Sequence, residues 1–210
     1  MTVLRTTLMA ATALTALAVS APASAEQGDF LVRARAVYIT PDESAETSIG
    51  GDIDIGTDVV PELDFTYFVT DKFALELILA TNEHSVAAIG TAAGDVPLGD
   101  ITLLPPTLTL QYHPLAGETF SPYIGAGINY TLFYDADLPA GGIITDIDYD
   151  ASIGFALQAG FDVMLNDNWF FNVDAKRLWL NTDVDLNGGT ITADVDIDPW
   201  IFGAGFGFKF

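Results

Sequence analysis

Hydrophobic and polar positions alternate with a period of two along most of the chain after residue 29. In "FLVRARAVYI", Phe30, Val32, Ala34, Ala36 and Tyr38 fall on one face of an extended strand, and Leu31, Arg33, Arg35, Val37 and Ile39 on the other. The pattern returns in "ELDFTYFV", "FALELILA", "TLTLQYH", "PYIGAGINYTLF", "SIGFALQAGFDVML", "WFFNVDAKRLWL" and "DPWIFGAGFGFKF", so eight strands are predicted. The connections also alternate. "TDK", "PLAGETFS" and "NDN" are brief, whereas Thr40 to Asp58, Glu83 to Ile101, Asp135 to Tyr149 and Asn181 to Ala193 are long and read as loops. An even strand count with short turns at one end and long loops at the other is the signature of an all-β, eight-stranded antiparallel transmembrane β-barrel, its short turns periplasmic and its longer loops extracellular.

Alternation alone does not say which face meets lipid, and a soluble sandwich or lipocalin-type barrel would show it too. Chemistry separates the two. One face carries aromatics near strand ends, namely Tyr67, Phe73, Tyr112, Tyr130, Trp169, Trp179 and Trp200, as interfacial girdles require. The other carries Arg33, Arg35, Asp64, Glu76, Gln111, Asn129, Gln158, Asp162, Asn172, Asp174, Lys176 and Lys209, which would ruin a soluble core. Polar inside and apolar outside is the arrangement of a membrane barrel, in which the closed sheet satisfies every backbone group.

Residues 1–25 read as an export signal: Arg5, then the apolar "LMAATALTALAV", then "ASA" ending at Ala25. The expected mature chain, residues 26–210, has no apolar run long enough for a spanning helix. The formal net charge of −22, with only seven Lys and Arg, excludes nucleic acid as a partner. Without cysteine there is no disulfide frame and no thiolate site. The expected partners are outer-membrane lipids and lipopolysaccharide, with barrel-assembly machinery during biogenesis.

"LPPTL" at Leu104 to Leu108, "PYIGAGINYT" at Pro122 to Thr131, "DPWIF" at Asp198 to Phe202 with a terminal Phe210, and "FTYFVTDKFALEL" from Phe65 to Leu77 together resemble the outer membrane protein W (OmpW) family. The resemblance implies an eight-stranded barrel whose narrow lumen passes small hydrophobic compounds inward, with release sideways into the membrane. It also implies that Phe210 belongs to a terminal signal read by the assembly machinery. The chain departs from the family in its Asp-rich loops and a shorter third loop.

With both ends periplasmic, inward-facing residues acquire heights. Arg33, Arg35, Asp64, Glu76, Asp162, Asp174, Lys176 and Lys209 form a charged floor, expected to be the lumen barrier. Val37, Ile39, Ile78, Phe133, Leu178, Leu180, Val195, Ile197 and Ile201 lie above it as an apolar, substrate-binding lumen. Eight strands enclose barely enough room for their own side chains, so a mixed-charge layer disfavours a general pore. Pro105 and Pro106 in the fourth strand and Pro199 in the eighth lack a ladder donor and are the candidates for a lateral exit. A structural or receptor-type barrel and a small ion-conducting pore are the alternative functions.

No cofactor is expected. Carboxylates at Asp194, Asp196 and Asp198 share a strand face and are weak candidates for a hard cation, without the spacing of a calcium loop. No enzyme activity is expected: the two histidines are His84 and His113, and neighbouring His84 and Ser85 point to opposite faces of a strand.

Overall fold

The computed structural model describes residues 26–92 and 94–210; the expected signal peptide lies outside the described residues. Among these residues the strands are β1 (Phe30–Thr40), β2 (Ser44–Thr47), β3 (Asp52–Ile55), β4 (Asp58–Phe68), β5 (Phe73–Ala80), β6 (Asn82–Thr91), β7 (Gly94–Leu104), β8 (Thr107–Tyr112), β9 (Phe120–Asp137), β10 (Ile147–Tyr149), β11 (Ser152–Met164), β12 (Trp169–Trp179), β13 (Asn181–Leu186), β14 (Ile191–Asp196) and β15 (Trp200–Lys209). Eight of them close on one another in the order β1, β4, β5, β8, β9, β11, β12, β15, every pair antiparallel. These eight coincide with the eight alternating segments of the sequence.

Period-two patterning sets the two faces. Val59, Ile124, Ile153, Phe155, Phe206 and Phe210 are exposed on the outer surface, where only lipid can cover them. Tyr67, Phe73, Tyr112 and Trp169 ring the periplasmic end, and Tyr38, Tyr130, Trp179 and Trp200 ring the other, all exposed. Arg33, Asp64, Glu76, Gln111 and Asn172 point inward and are fully buried.

The long connections are not irregular loops. The barrel wall continues above the girdle: β3, β6, β7 and the upper part of β9 form one sheet, and β10, β13, β14 and β2 a second. The two sheets bury Val86, Leu98, Ile101, Ile144, Ile147, Val184, Leu186 and Val195 in a core continuous with Val37, Ile39, Leu178 and Ile201 below. Sequence reading missed these strands because their outward positions carry Asp and Thr instead of aliphatic residues. In β13, for example, Asn181, Asp183 and Asp185 are exposed while Thr182, Val184 and Leu186 are buried. The alternation is the same; only the outer solvent has changed from lipid to water. Much of the acidity therefore lies where carboxylates can remain hydrated.

The last strand closes the barrel. β15 pairs with β1 from Leu31↔Lys209 to Thr40↔Trp200 and with β12 from Trp169↔Phe208 to Arg177↔Trp200. Gly205 makes the seam possible: a Cβ there would stand 2.0 Å from the Ala34 carbonyl oxygen, a backbone atom that cannot turn aside. Gly205→Val is expected to block closure, so the variant should lose the heat-dependent gel mobility of a folded barrel. Wild-type mobility would contradict that role.

Candidate functional site

The lumen is layered from the periplasmic end upward. At the bottom Leu31, Phe68, Ala74 and Phe170 form a small apolar plug, with Ala116 and Met164 packed against it. His113 lies beside the plug just beyond β8, between the rings of Phe68 and Tyr123, at centroid distances of 4.9 and 5.0 Å. Its Nε2 bonds Gln111 Oε1 at 3.0 Å. Burial, with the Arg33 charge adding to it, lowers the His113 pKa from 6.5 to about 3.

Above the plug lies the ionic layer. Arg33 Nη1 meets Asp64 Oδ1 at 3.0 Å and Nη2 meets Asp162 Oδ2 at 3.0 Å, while Nη1 also donates to Thr66 Oγ1 at 2.6 Å. Arg35 Nε meets Glu62 Oε1 at 2.9 Å, and its Nη2 reaches Asp64 Oδ2 at 2.8 Å and Glu76 Oε1 at 3.3 Å. Lys176 Nζ joins Glu62 at 2.8 Å to Asp174 at 2.9 Å. The Tyr123 hydroxyl and the Gln158 amide each donate to Asp174 Oδ2 at 2.9 Å, and Thr109 donates to Glu76 Oε2 at 3.0 Å. The layer ties together side chains from β1, β4, β5, β8, β9, β11 and β12, and crosses the whole bore.

Higher still the lumen turns apolar. Cavities of about 70, 50 and 20 Å³ follow one another down the axis, the first between the two extracellular sheets and the last directly above Glu62 and Lys176. Val37, Ile39, Ile78, Phe133, Leu178, Leu180, Val195, Ile197 and Ile201 all border at least one of the two lower cavities. Tyr149 stacks on Phe133 at 5.5 Å, and burial raises its phenol pKa to about 12. Ile197 is tied to Leu180 by its N–H on the Leu180 carbonyl at 3.0 Å, which holds both side chains in the bore.

Three expectations change. Lys209 belongs to the periplasmic lip, where Nζ stands 3.6 Å from Asp29 Oδ2, and the apolar plug separates it from the ionic layer. The floor is thus a charged middle with a greasy underside. Asp194 and Asp196 point outward into water, while Asp198 Oδ1 accepts the Leu180 N–H at 3.0 Å. No group of three His, Asp or Glu among the described residues is placed to hold a metal.

The prolines stand beside strands instead of within them. Pro105 and Pro106 separate β7 from β8, and Pro199 precedes β15. β5 pairs with β8 only up to Ile78↔Thr107, and β6 pairs with β7 from Asn82↔Leu103, so residues 79–81 and 104–106 face each other outside the ladder. A second interruption adjoins it: β4 and β5 pair up to Glu62↔Ala80, and the next main-chain bond upward is Gly56 N–H to the Ser85 carbonyl at 3.0 Å. Pro61 helps set that gap, and its missing N–H was a signal in the sequence as plain as that of Pro105. At Pro199 the wall is firmer, since the Pro199 carbonyl accepts the Leu178 N–H at 3.2 Å.

Sequence reading also missed Glu62, Thr66 and Tyr123 in the ionic layer, although Glu62 follows from Asp64 by period two. Asn82 and His84 were not assigned to the lumen, yet both are buried and line it. Ser85 lies on the opposite face, donating to Asp100 at 2.6 Å.

The OmpW family matches residues 26–210. An uncharacterized outer-membrane protein, y4mB, of Sinorhizobium fredii is 40% identical over 85% of this chain and 79% of its own length. Outer membrane protein W of Vibrio cholerae is 35% identical over 91% of this chain and 93% of its own. The crystal structure of the outer membrane protein OprG from Pseudomonas aeruginosa superposes with a TM-score of 0.84 at 35% identity, covering 89% of this chain and 98% of that one.

Two outcomes follow from the buried titratable groups. Arg35→Ala strips partners from Glu62, Asp64 and Glu76 and should cost about 3–5 kcal/mol in reversible unfolding from lipid; a loss near zero would contradict the layer. His113 binds its proton near pH 3 when folded and near 6.5 when unfolded. Its contribution is fully present above 6.5 and lost as pH falls towards 3, because the unfolded chain then binds the extra proton. The stability of His113→Gln should therefore fall less steeply than wild type across that window, and parallel curves would contradict the assignment.

Proposed function

Because the chain belongs to the OmpW family and is an outer-membrane β-barrel, we propose that it carries small hydrophobic molecules inward, through its apolar upper lumen and sideways into the membrane. The observation that supports this most is the abrupt change from an apolar chamber to a bonded ionic layer across the same bore. A hydrophobic solute gains about 25 cal/mol for each Å² of apolar surface that it removes from water in the chamber. Further descent would require separating Glu62 from Lys176 and Arg35, which costs several kcal/mol per stranded charge.

The exit of least resistance is through the wall. Residues 79–81 and 104–106 lack ladder bonds to each other, and Pro105 borders both lower cavities. Parting the wall there breaks no main-chain pairing. The cavities are each much smaller than a solute, so passage proceeds by displacement of apolar side chains, which exchange one apolar contact for another. An ion-conducting pore is disfavoured by the same layer, and no residue in it lies free to hydrate an ion in transit.

Leu180→Asp or Ile197→Asp places a charge where the solute must pass. Either should slow the delivery of an alkane-like solute into proteoliposomes by at least about ten-fold, while leaving folded mobility on gels intact. Unchanged delivery in both would sink the lumen assignment.

A further inference from the structure

Among the described residues, Asn82 Oδ1 and Ser152 Oγ are buried at the height of the upper chamber without a hydrogen-bond partner, and of the two only Asn82 borders the cavities. Asn82, at the start of β6, is 6% exposed and borders the two lower cavities, and its Oδ1 has no hydrogen-bond partner. Its orientation follows from a short chain of bonds. The Gly56 carbonyl can only accept, so His84 Nδ1, at 2.7 Å, carries the ring proton. In the neutral ring Nε2 is then an acceptor, and Asn82 Nδ2 donates to it at 2.5 Å. That fixes the amide and leaves Oδ1 as a bare acceptor.

The surroundings define what could satisfy it. Besides Asn82, His84, the Tyr149 phenol and two threonines, the cavity of about 50 Å³ beside Asn82 is lined by apolar side chains, with no charged residue. Its threonines are engaged: Thr131 donates to Asn129 at 2.6 Å and Thr182 to the Asp150 carbonyl at 2.7 Å. A cationic donor would enter without a counter-charge, at a desolvation cost that one amide oxygen does not offset. A neutral hydroxyl on an apolar body meets both demands.

We propose that Asn82, held by His84, forms a hydrogen-bonding subsite for the hydroxyl of neutral apolar alcohols and phenols. The inference rests on the hydrophobic-uptake reading and names a preferred class within it. The subsite adjoins the unpaired stretch at 79–81, so a solute anchored there lies beside the proposed exit.

The matched pair p-cresol and p-xylene, which differ by hydroxyl against methyl, tests it. Binding is measured to the protein in lipid nanodiscs, relative to protein-free discs, and delivery is measured separately in proteoliposomes. Wild type should bind p-cresol about five-fold more tightly than p-xylene. Asn82→Leu should abolish that preference by weakening p-cresol alone, whereas Asn82→Asp, which keeps an acceptor, should retain it. Equal binding of the pair to wild type, a preference unchanged in Asn82→Leu, or no binding of p-cresol would overturn the subsite. Selective binding of p-cresol without delivery of either solute would uphold the subsite and overturn the uptake reading instead.

Discussion

Everything in this barrel is arranged around three cations and five carboxylates locked together in its bore. Arg33, Arg35 and Lys176 are held by Glu62, Asp64, Glu76, Asp162 and Asp174, with almost no solvent reaching any of them. A closed eight-stranded wall leaves no room for water to replace a missing partner. The charges must therefore satisfy one another, and they do so by spanning strands that lie far apart in sequence. Arg33 alone joins β1 to residues 31 and 129 positions away. The layer bonds across the bore from one side of the wall to the other, and in the proposed reading it seals the axial path.

The seal gives the upper lumen its meaning. Apolar side chains facing inward in a water-filled pore would be a burden, but above a closed floor they make a chamber that favours solutes poor in polar groups. The same wall weakens beside that chamber, where proline interrupts the ladder and the pairing passes from β5 on β4 to β6 on β3. In the proposed uptake reading, floor, chamber and gap are one device: the first stops the solute, the second attracts it, the third offers it lipid. The proposed Asn82 subsite would add a directional contact to a chamber that is mostly apolar.

The barrel itself was legible in the sequence because lipid on one side and charge on the other give period two its strongest contrast. "FLVRARAVYI" states strand, face and height at once. The extracellular strands were hidden because water outside them accepts Asp and Thr, so "NTDVDL" and "ITADVD" read as polar loop although every second residue is buried in the first and buried or half-buried in the second. Inward charges could be assigned to the lumen but not to each other, since partners such as Arg33 and Asp162 meet only once the sheet closes. The apolar underside of the floor escaped notice although Leu31, Phe68 and Phe170 share the inward face with Arg33, Asp64 and Asn172 by period two, because the charged neighbours dominate that face in the sequence. Lys209 was misplaced for the complementary reason: its face was right and its height was too great by one layer. The unsatisfied Asn82 oxygen had no sequence signal, as it arises from a hydrogen-bond chain that begins at Gly56.

In the proposed reading the ionic layer closes the axial path. Ion conductance of the protein in a planar bilayer tests it most directly, because ions are the smallest solutes that the lumen could pass. Wild type is expected to show no stable channel steps in molar salt. Regular steps that grow in proportion to salt concentration would show an open aqueous path through Arg33, Arg35 and Lys176, and would contradict that reading.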